Sequence, residues 1–167
     1  DPLLAQQGLV DGSVGARLRA LALNPLYQFP ETPEGRLALL DSIGASMKWA
    51  DGIAARVATV DKPAAIIVRE TPRIAQDTAS KAYYRPAPLS GPKPAVYNIT
   101  LNATADFPMW TLPTLTFHEG VPGHHLQVEL ARDKPNKPVI SHLISSPAFN
   151  EGWATYAEDL ANELGAY

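Results

Sequence analysis

Four histidines occur in the chain, and three of them fall within eight residues, in the segment Phe117-His118-Glu119-Gly120-Val121-Pro122-Gly123-His124-His125. Two imidazoles flanking a carboxylate are the parts of a zinc hydrolase site. The rings hold the metal, and the carboxylate accepts a proton from the attacking water. His118 and the following histidines are therefore candidate ligands, and Glu119 is the candidate general base.

The spacing sets a geometric problem. In the HExxH pattern the two histidines lie four residues apart, on one face of a helix. Here His124 is six residues beyond His118, roughly 240° round a straight helix. His125, seven beyond, returns to the same face but lies roughly 10 Å further along the axis. Neither choice lets an unbroken helix bring two nitrogens to one ion. Pro122 and Gly123 supply the remedy. Proline cannot donate to the carbonyl of His118 and so breaks the helical ladder. Glycine accepts backbone angles and close approaches closed to other residues. A two-residue bulge would return a histidine to the side of His118. The competing view is a plain helix–turn–helix with surface histidines.

A catalytic zinc commonly takes three protein ligands. Glu151, in Phe149-Asn150-Glu151-Gly152-Trp153, is the best candidate for the third. It sits 27 positions after His124, early in a separate helix, where the dipole favours a carboxylate. Glu158 shares its face seven residues later and either orients a ligand through a hydrogen bond or is a solvated helix charge. His125 and Gln127 are either donors behind the site or facing substrate, or exposed positions. His142 stands alone and reads as a surface or satisfied histidine.

These residues must be positioned by a scaffold, and composition bounds what it is. The chain has 167 residues, the size of one domain. Its net charge of −3 argues against nucleic acid or an anionic membrane surface as the main partner. Hydrophobic residues at 46% suffice for a core, and the absence of cysteine removes disulfides and thiolate ligands together. No run approaches the ~18 apolar residues of a membrane span.

Sixteen prolines act as punctuation. Residues 13–24 read as a short helix. A long one starts at Thr32-Pro33-Glu34 and carries Leu40, Ile43, Met47, Ala50, Ala54 and Val57 on its buried stripe, with Trp49 in the core. Residues 64–70 read as a strand, 85–94 as extended or turn structure, and 95–102 as a second strand with an exposed face or edge. That second strand is a plausible rail for an extended substrate, with Asn98 and Thr100 as contacts. A helix opens at Thr111-Leu112-Pro113, breaks at Pro122-Gly123 and resumes through residue 132. Residues 133–138 form a polar loop. The last helix starts at Ser146-Pro147 with Phe149, Trp153, Ala157, Leu160 and Leu164 as its apolar face.

The pattern HEGVPGHHLQ followed by NEGWATYAEDL resembles the bacterial family known as domain of unknown function 885, whose members are commonly described as lipoproteins. The proline-rich segment YYRPAPLSGPKPAVYNITLN is similar to that family as well. The second motif also resembles the NEGFA-type segment of zinc aminopeptidases of the gluzincin group, and by that resemblance Glu151 becomes a ligand. The Gly-His order of related HExGH peptidases favours His124 over His125.

The resemblance implies a helix-dominated α+β fold with a small sheet and a zincin-like core of the thermolysin or gluzincin type. An N-terminal helical segment, 1–62, would precede the core, 63–167, in one continuous unit. It implies Zn²⁺ as cofactor, a peptide or small amide as substrate, and export of the protein. Peptidases of this kind use a hydroxyl, imidazole or guanidinium donor beyond the third ligand to hold the oxyanion. Tyr156 and Tyr167 are the late hydroxyl candidates. The chain begins without Met and ends just after a helical pattern, which predicts a piece of a longer protein. The rival functional class is accordingly a metal- or peptide-binding module without turnover.

Overall fold

The computed structural model describes residues 2–133, 138, 140 and 146–167. The expectations for 134–137 and for His142 fall outside these.

The fold is helix-dominated α+β. Two short helices, α1 (Pro2–Gln6) and α2 (Val14–Ala22), lead into the 25-residue α3 (Pro33–Val57). Thr32 starts α3 by accepting a hydrogen bond from Gly35 N–H at 3.1 Å, and Pro33 occupies the first turn, where its missing N–H costs nothing. Strand β1 (Ile66–Glu70), helix α4 (Arg73–Gln76), and strands β2 (Ala82–Arg85) and β3 (Ala95–Ile99) follow. Then come α5 (Leu112–Glu119), α6 (His124–Arg132) and α7 (Pro147–Glu163). No described helix is long and apolar enough to cross a membrane.

The sheet order is β1-β3-β2. β3 pairs parallel with β1, Ile66 opposite Ala95, and antiparallel with β2, Ala82 opposite Ile99. This central placement corrects the expected exposed face. Tyr97, Asn98, Ile99, Thr100 and Leu101 are all buried, and both edges of β3 are occupied. The polar side chains on it bond within the protein: Asn98 Nδ2 donates to Val96 O at 3.3 Å, and Thr100 Oγ1 donates to Ser80 O at 2.7 Å and lies 2.9 Å from Thr71 Oγ1. Neither Asn98 nor Thr100 is placed to touch a substrate, and β3 cannot act as a rail.

Leu39 and Ile43 of α3 pack with Tyr97, Ile99, Leu101, Phe107 and Leu112 in the main core. The long helix is thus built into the same core as the strands. Its buried stripe is Leu39, Ile43, Ala50 and Ile53, with Leu40 and Met47 on its flank, a slight rotation from the expected face. A second cluster joins Ala50, Phe117 and Ala161, with the Trp49 ring 5.2 Å from that of Phe117. On α7 the expected Ala157 is buried, but its buried companions are Ala154 and Ala161 rather than the larger residues expected. Small side chains let α7 approach α5 closely, and Phe149 is left 65% exposed.

Candidate metal centre

The three candidate ligands come from three consecutive helices. His118 ends α5, His124 begins α6, and Glu151 sits in the first turns of α7. The break between the first two is short. α5 stops at Glu119, and Gly123 N–H donates to Phe117 O at 2.9 Å. His125 N–H donates to Gly120 O at 3.1 Å, so α6 starts on the carbonyl of the turn itself. The Val121–Pro122 peptide is cis.

Gly123 is irreplaceable on steric grounds. A Cβ there would stand 1.9 Å from His118 O and 2.3 Å from Phe117 O. The chain recrosses its own helix end at this point, and only glycine fits. Trp153 of α7 clamps the turn from outside, its Nε1–H reaching Pro122 O at 2.9 Å and Gly123 O at 3.2 Å. The result is the bulge that the spacing demanded: the rings of His118 and His124 lie 4.9 Å apart, at 85° to each other.

One donor atom each from His118, His124 and Glu151 lie within 4.8 Å of one another. His118 Nε2 is 3.4 Å from Glu151 Oε2, and His124 Nε2 is 3.7 Å from Glu151 Oε1. Tetrahedral zinc with bonds of about 2.0–2.1 Å holds its donors roughly 3.4 Å apart. The donor types fit that ion, the two histidine–carboxylate separations are close to that spacing, and all three donors lie within 4.8 Å.

The other ring nitrogen of His118 is also engaged. His118 Nδ1–H donates to Glu158 Oε1 at 2.8 Å, which leaves Nε2 as the lone-pair side facing Glu151. Gln127 faces the His124 ring, and its Nε2 donates to Phe149 O at 3.3 Å, tying α6 to α7. Burial lowers the pKa of His124, keeping the ring neutral, as a ligand must be. Glu158 and Gln127 therefore stand behind the two imidazoles, the orienting role weighed for both.

Glu119 is 5% exposed, and its Oε2 has no hydrogen-bond partner. Burial pushes its carboxyl up to about 7, while the neighbouring His118 imidazole and the backbone N–H of Tyr84 pull it back and Glu151 adds to the rise. A carboxyl poised near neutrality in a cleft is the state suited to taking and returning a proton.

A cleft of about 780 Å³ opens over these groups. Its floor includes His118, Glu119, His124 and Glu151, and its walls include Tyr84 of β2 and Phe149 of α7. The β2 wall has no counterpart in the sequence reading, which assigned no strand to residues 82–85. Lys81 O accepts from Thr100 N–H, so alternate main-chain groups from Lys81 onward turn to β3, and those of Ala82 and Tyr84 turn to the outer edge.

His125 is buried and absent from the cleft lining; its Nδ1 lies 3.0 Å from Tyr84 Oη. Tyr156 is half exposed, packs beside Trp153 at 6.1 Å between rings, and does not line the cleft. Tyr167 is likewise outside it, its hydroxyl 2.6 Å from Thr114 Oγ1. The structure thus brings neither late hydroxyl to the candidate centre.

Residues 1–167 match the family described as "Bacterial protein of unknown function (DUF885)". The fold is similar to the crystal structure of "the putative lipoprotein from Colwellia psychrerythraea", with a TM-score of 0.93 and 34% identity over 99% of this chain. The chain spans 28% of the length of that protein. No curated protein matches.

Proposed function

We propose that this chain, which belongs to the DUF885 family of bacterial proteins, forms the metal centre of a zinc-dependent hydrolase of peptide or related amide bonds. One observation carries the reading: two imidazoles and a carboxylate from three helices converge at zinc-ligand spacing beside a buried, partnerless carboxylate oxygen. His118, His124 and Glu151 would hold the ion. When bound, zinc supplies a Lewis acid that polarises the scissile carbonyl and acidifies a water.

The chain's own groups do the rest. Glu158 and Gln127 fix the rings so that each directs its ligating nitrogen to one point. Glu119 takes the proton of the attacking water and returns it to the leaving amine. The outer edge of β2, beside Glu119, can bind an extended peptide through its main chain, a task the sequence reading placed on residues 95–102. The fold is in keeping with a zincin-like core, and the description of the Colwellia protein as a lipoprotein favours an exported protein.

Zinc titration of the wild-type chain and of His118→Ala tests the centre. Wild type should bind one zinc stoichiometrically, and H118A should not; equal weak binding by both would remove the assignment. Glu119→Gln should retain zinc and lose hydrolysis of a mixed peptide library, and full turnover by E119Q would remove Glu119 as the base.

A second reading, a metal- and peptide-binding module without turnover, is favoured by the placement of Tyr156 and Tyr167 outside the cleft. Peptide binding by zinc-loaded wild type without cleavage would select it.

A further inference from the structure

We infer that His125 is a positioning residue that, with Tyr84, locks edge strand β2 onto the helix carrying His124. The inference rests on the hydrolase reading for its catalytic consequence, and on contacts of its own for the lock. The paired histidines of α6 point to opposite sides: His124 into the cleft, His125 away from it. Buried to 5%, His125 has Nδ1 3.0 Å from Tyr84 Oη and its ring edge-on to the Tyr84 ring at 5.6 Å. The backbone of Ala64 also lies against the ring, on the side that favours its protonated nitrogen. With the proton on the other ring nitrogen, Nδ1 accepts and the tyrosine hydroxyl donates.

Glu129, one turn further along α6, accepts from Ala64 N–H at 2.7 Å. Two side chains on one face of α6 therefore meet the backbone of the same residue ahead of β1, and one of them also holds β2. Both sheet edges are tied to the helix that presents a metal ligand. Tyr84 in turn directs its backbone N–H at the Glu119 carboxylate and lines the cleft. Movement of its phenol would move the donor that orients the base and the edge that would receive a peptide. An aspartate or serine in place of His125 could not reach both Ala64 and Tyr84.

Tyr84→Phe, His125→Gln and the double variant, in the zinc-loaded chain, provide the test. Three readouts are needed: zinc affinity, kcat and KM on a peptide that wild type cleaves, and amide exchange across residues 82–85. Each single variant should lower kcat about 10–100-fold, the penalty for a small misplacement near the chemistry, with zinc affinity within about threefold of wild type. Exchange at 82–85 should accelerate in both. The double variant should be no worse than the worse single, because one lock is lost once.

Unchanged exchange in Y84F would overturn the lock. Faster exchange with unchanged kcat would leave it a structural tie and overturn the positioning role. Additive losses in the double variant would also overturn it. If wild type binds zinc and cleaves nothing, the hydrolase reading fails, and with it the catalytic role, while the exchange data still decide whether the lock exists.

Discussion

The core between α3 and the sheet and the corner between α5 and α6 are both buried, yet they treat polar groups in opposite ways. Around the sheet the buried threonine hydroxyls have partners: Thr71 with Thr100, Thr100 with Ser80 O, Thr104 Oγ1 donating to Phe29 O at 2.8 Å and to Glu31 Oε2 at 2.9 Å. At the corner, Glu119 Oε2 is buried without a hydrogen-bond partner, and the hydroxyl of Thr116 faces only that of Tyr97 from β3. Three candidate ligands crowd within 4.8 Å on the cleft side of the same corner. Unsatisfied buried groups cost free energy, of the order of 1–3 kcal/mol each. A protein retains them where reactivity, not stability, is served. One half of this molecule pairs its buried threonine hydroxyls, and the other gathers titratable side chains.

Gly123→Ala attacks that division most severely. Its Cβ would collide with backbone oxygen and not with a side chain that can turn away. The turn must open, and His124 must leave His118. Zinc binding should be abolished in an equilibrium titration, although the α3–sheet core, which does not touch Gly123, stays folded by circular dichroism. Retention of wild-type zinc affinity in G123A would show that the close recrossing is not what assembles the site.

Ile43→Ala probes the other half. Ile43 is fully buried against the sheet, and truncating such a residue costs about 2–5 kcal/mol through lost transfer and a residual cavity. Urea unfolding should show that loss, and zinc affinity of the folded fraction should be unchanged. A parallel loss of zinc affinity would mean that the two halves are energetically one.

Glu158→Gln sharpens the contrast within the site. The substitution keeps shape and removes the charge that holds His118 Nδ1–H. Partners behind metal ligands are commonly worth 10–100-fold in affinity, or about 1.4–2.7 kcal/mol. Zinc affinity should fall by that factor, and the melting temperature of the metal-free protein should scarcely move.

The same division explains what the sequence could and could not reveal. The corner is written locally. Pro122 and Gly123 lie between the residues they rearrange, so a spacing that fails on a straight helix already names its own remedy. Glu151 was named by its place early in a separate helix and by the motif around it, and Glu158 by helix periodicity, which puts it on the same face.

The sheet is written non-locally. Asn98 and Thr100 alternate with apolar residues as on an exposed strand, but their partners, Val96 O, Ser80 O and Thr71, are supplied by the fold around them. Ala82–Arg85 is four residues long and ends against Pro86, too brief for any period to register; it is a strand because β3 lies beside it. α7 misled for a related reason. Alanine adds little to an apolar stripe, so Phe149 and Leu160 outweighed Ala154 and Ala161, whereas close helix contact selects for small size. His125 could not be separated from His124 by type, and only the direction of its ring distinguishes them.

The smallest effect tests whether the satisfied half is as satisfied as its contacts imply. Thr71→Val replaces a buried hydroxyl by a methyl of similar size. Thr100 Oγ1 loses one partner, but it still donates to Ser80 O, so no donor is stranded. The net worth of such a bond is about 1 kcal/mol. Urea unfolding of T71V should show a loss of that size with an unchanged slope, well below the loss from I43A. A loss comparable to I43A would mean that the hydroxyl pair fixes β1 against β3 beyond its own bond. The sheet half would then depend on polar placement as strictly as the metal corner does, and the contrast between the two would reduce to one of reactivity alone.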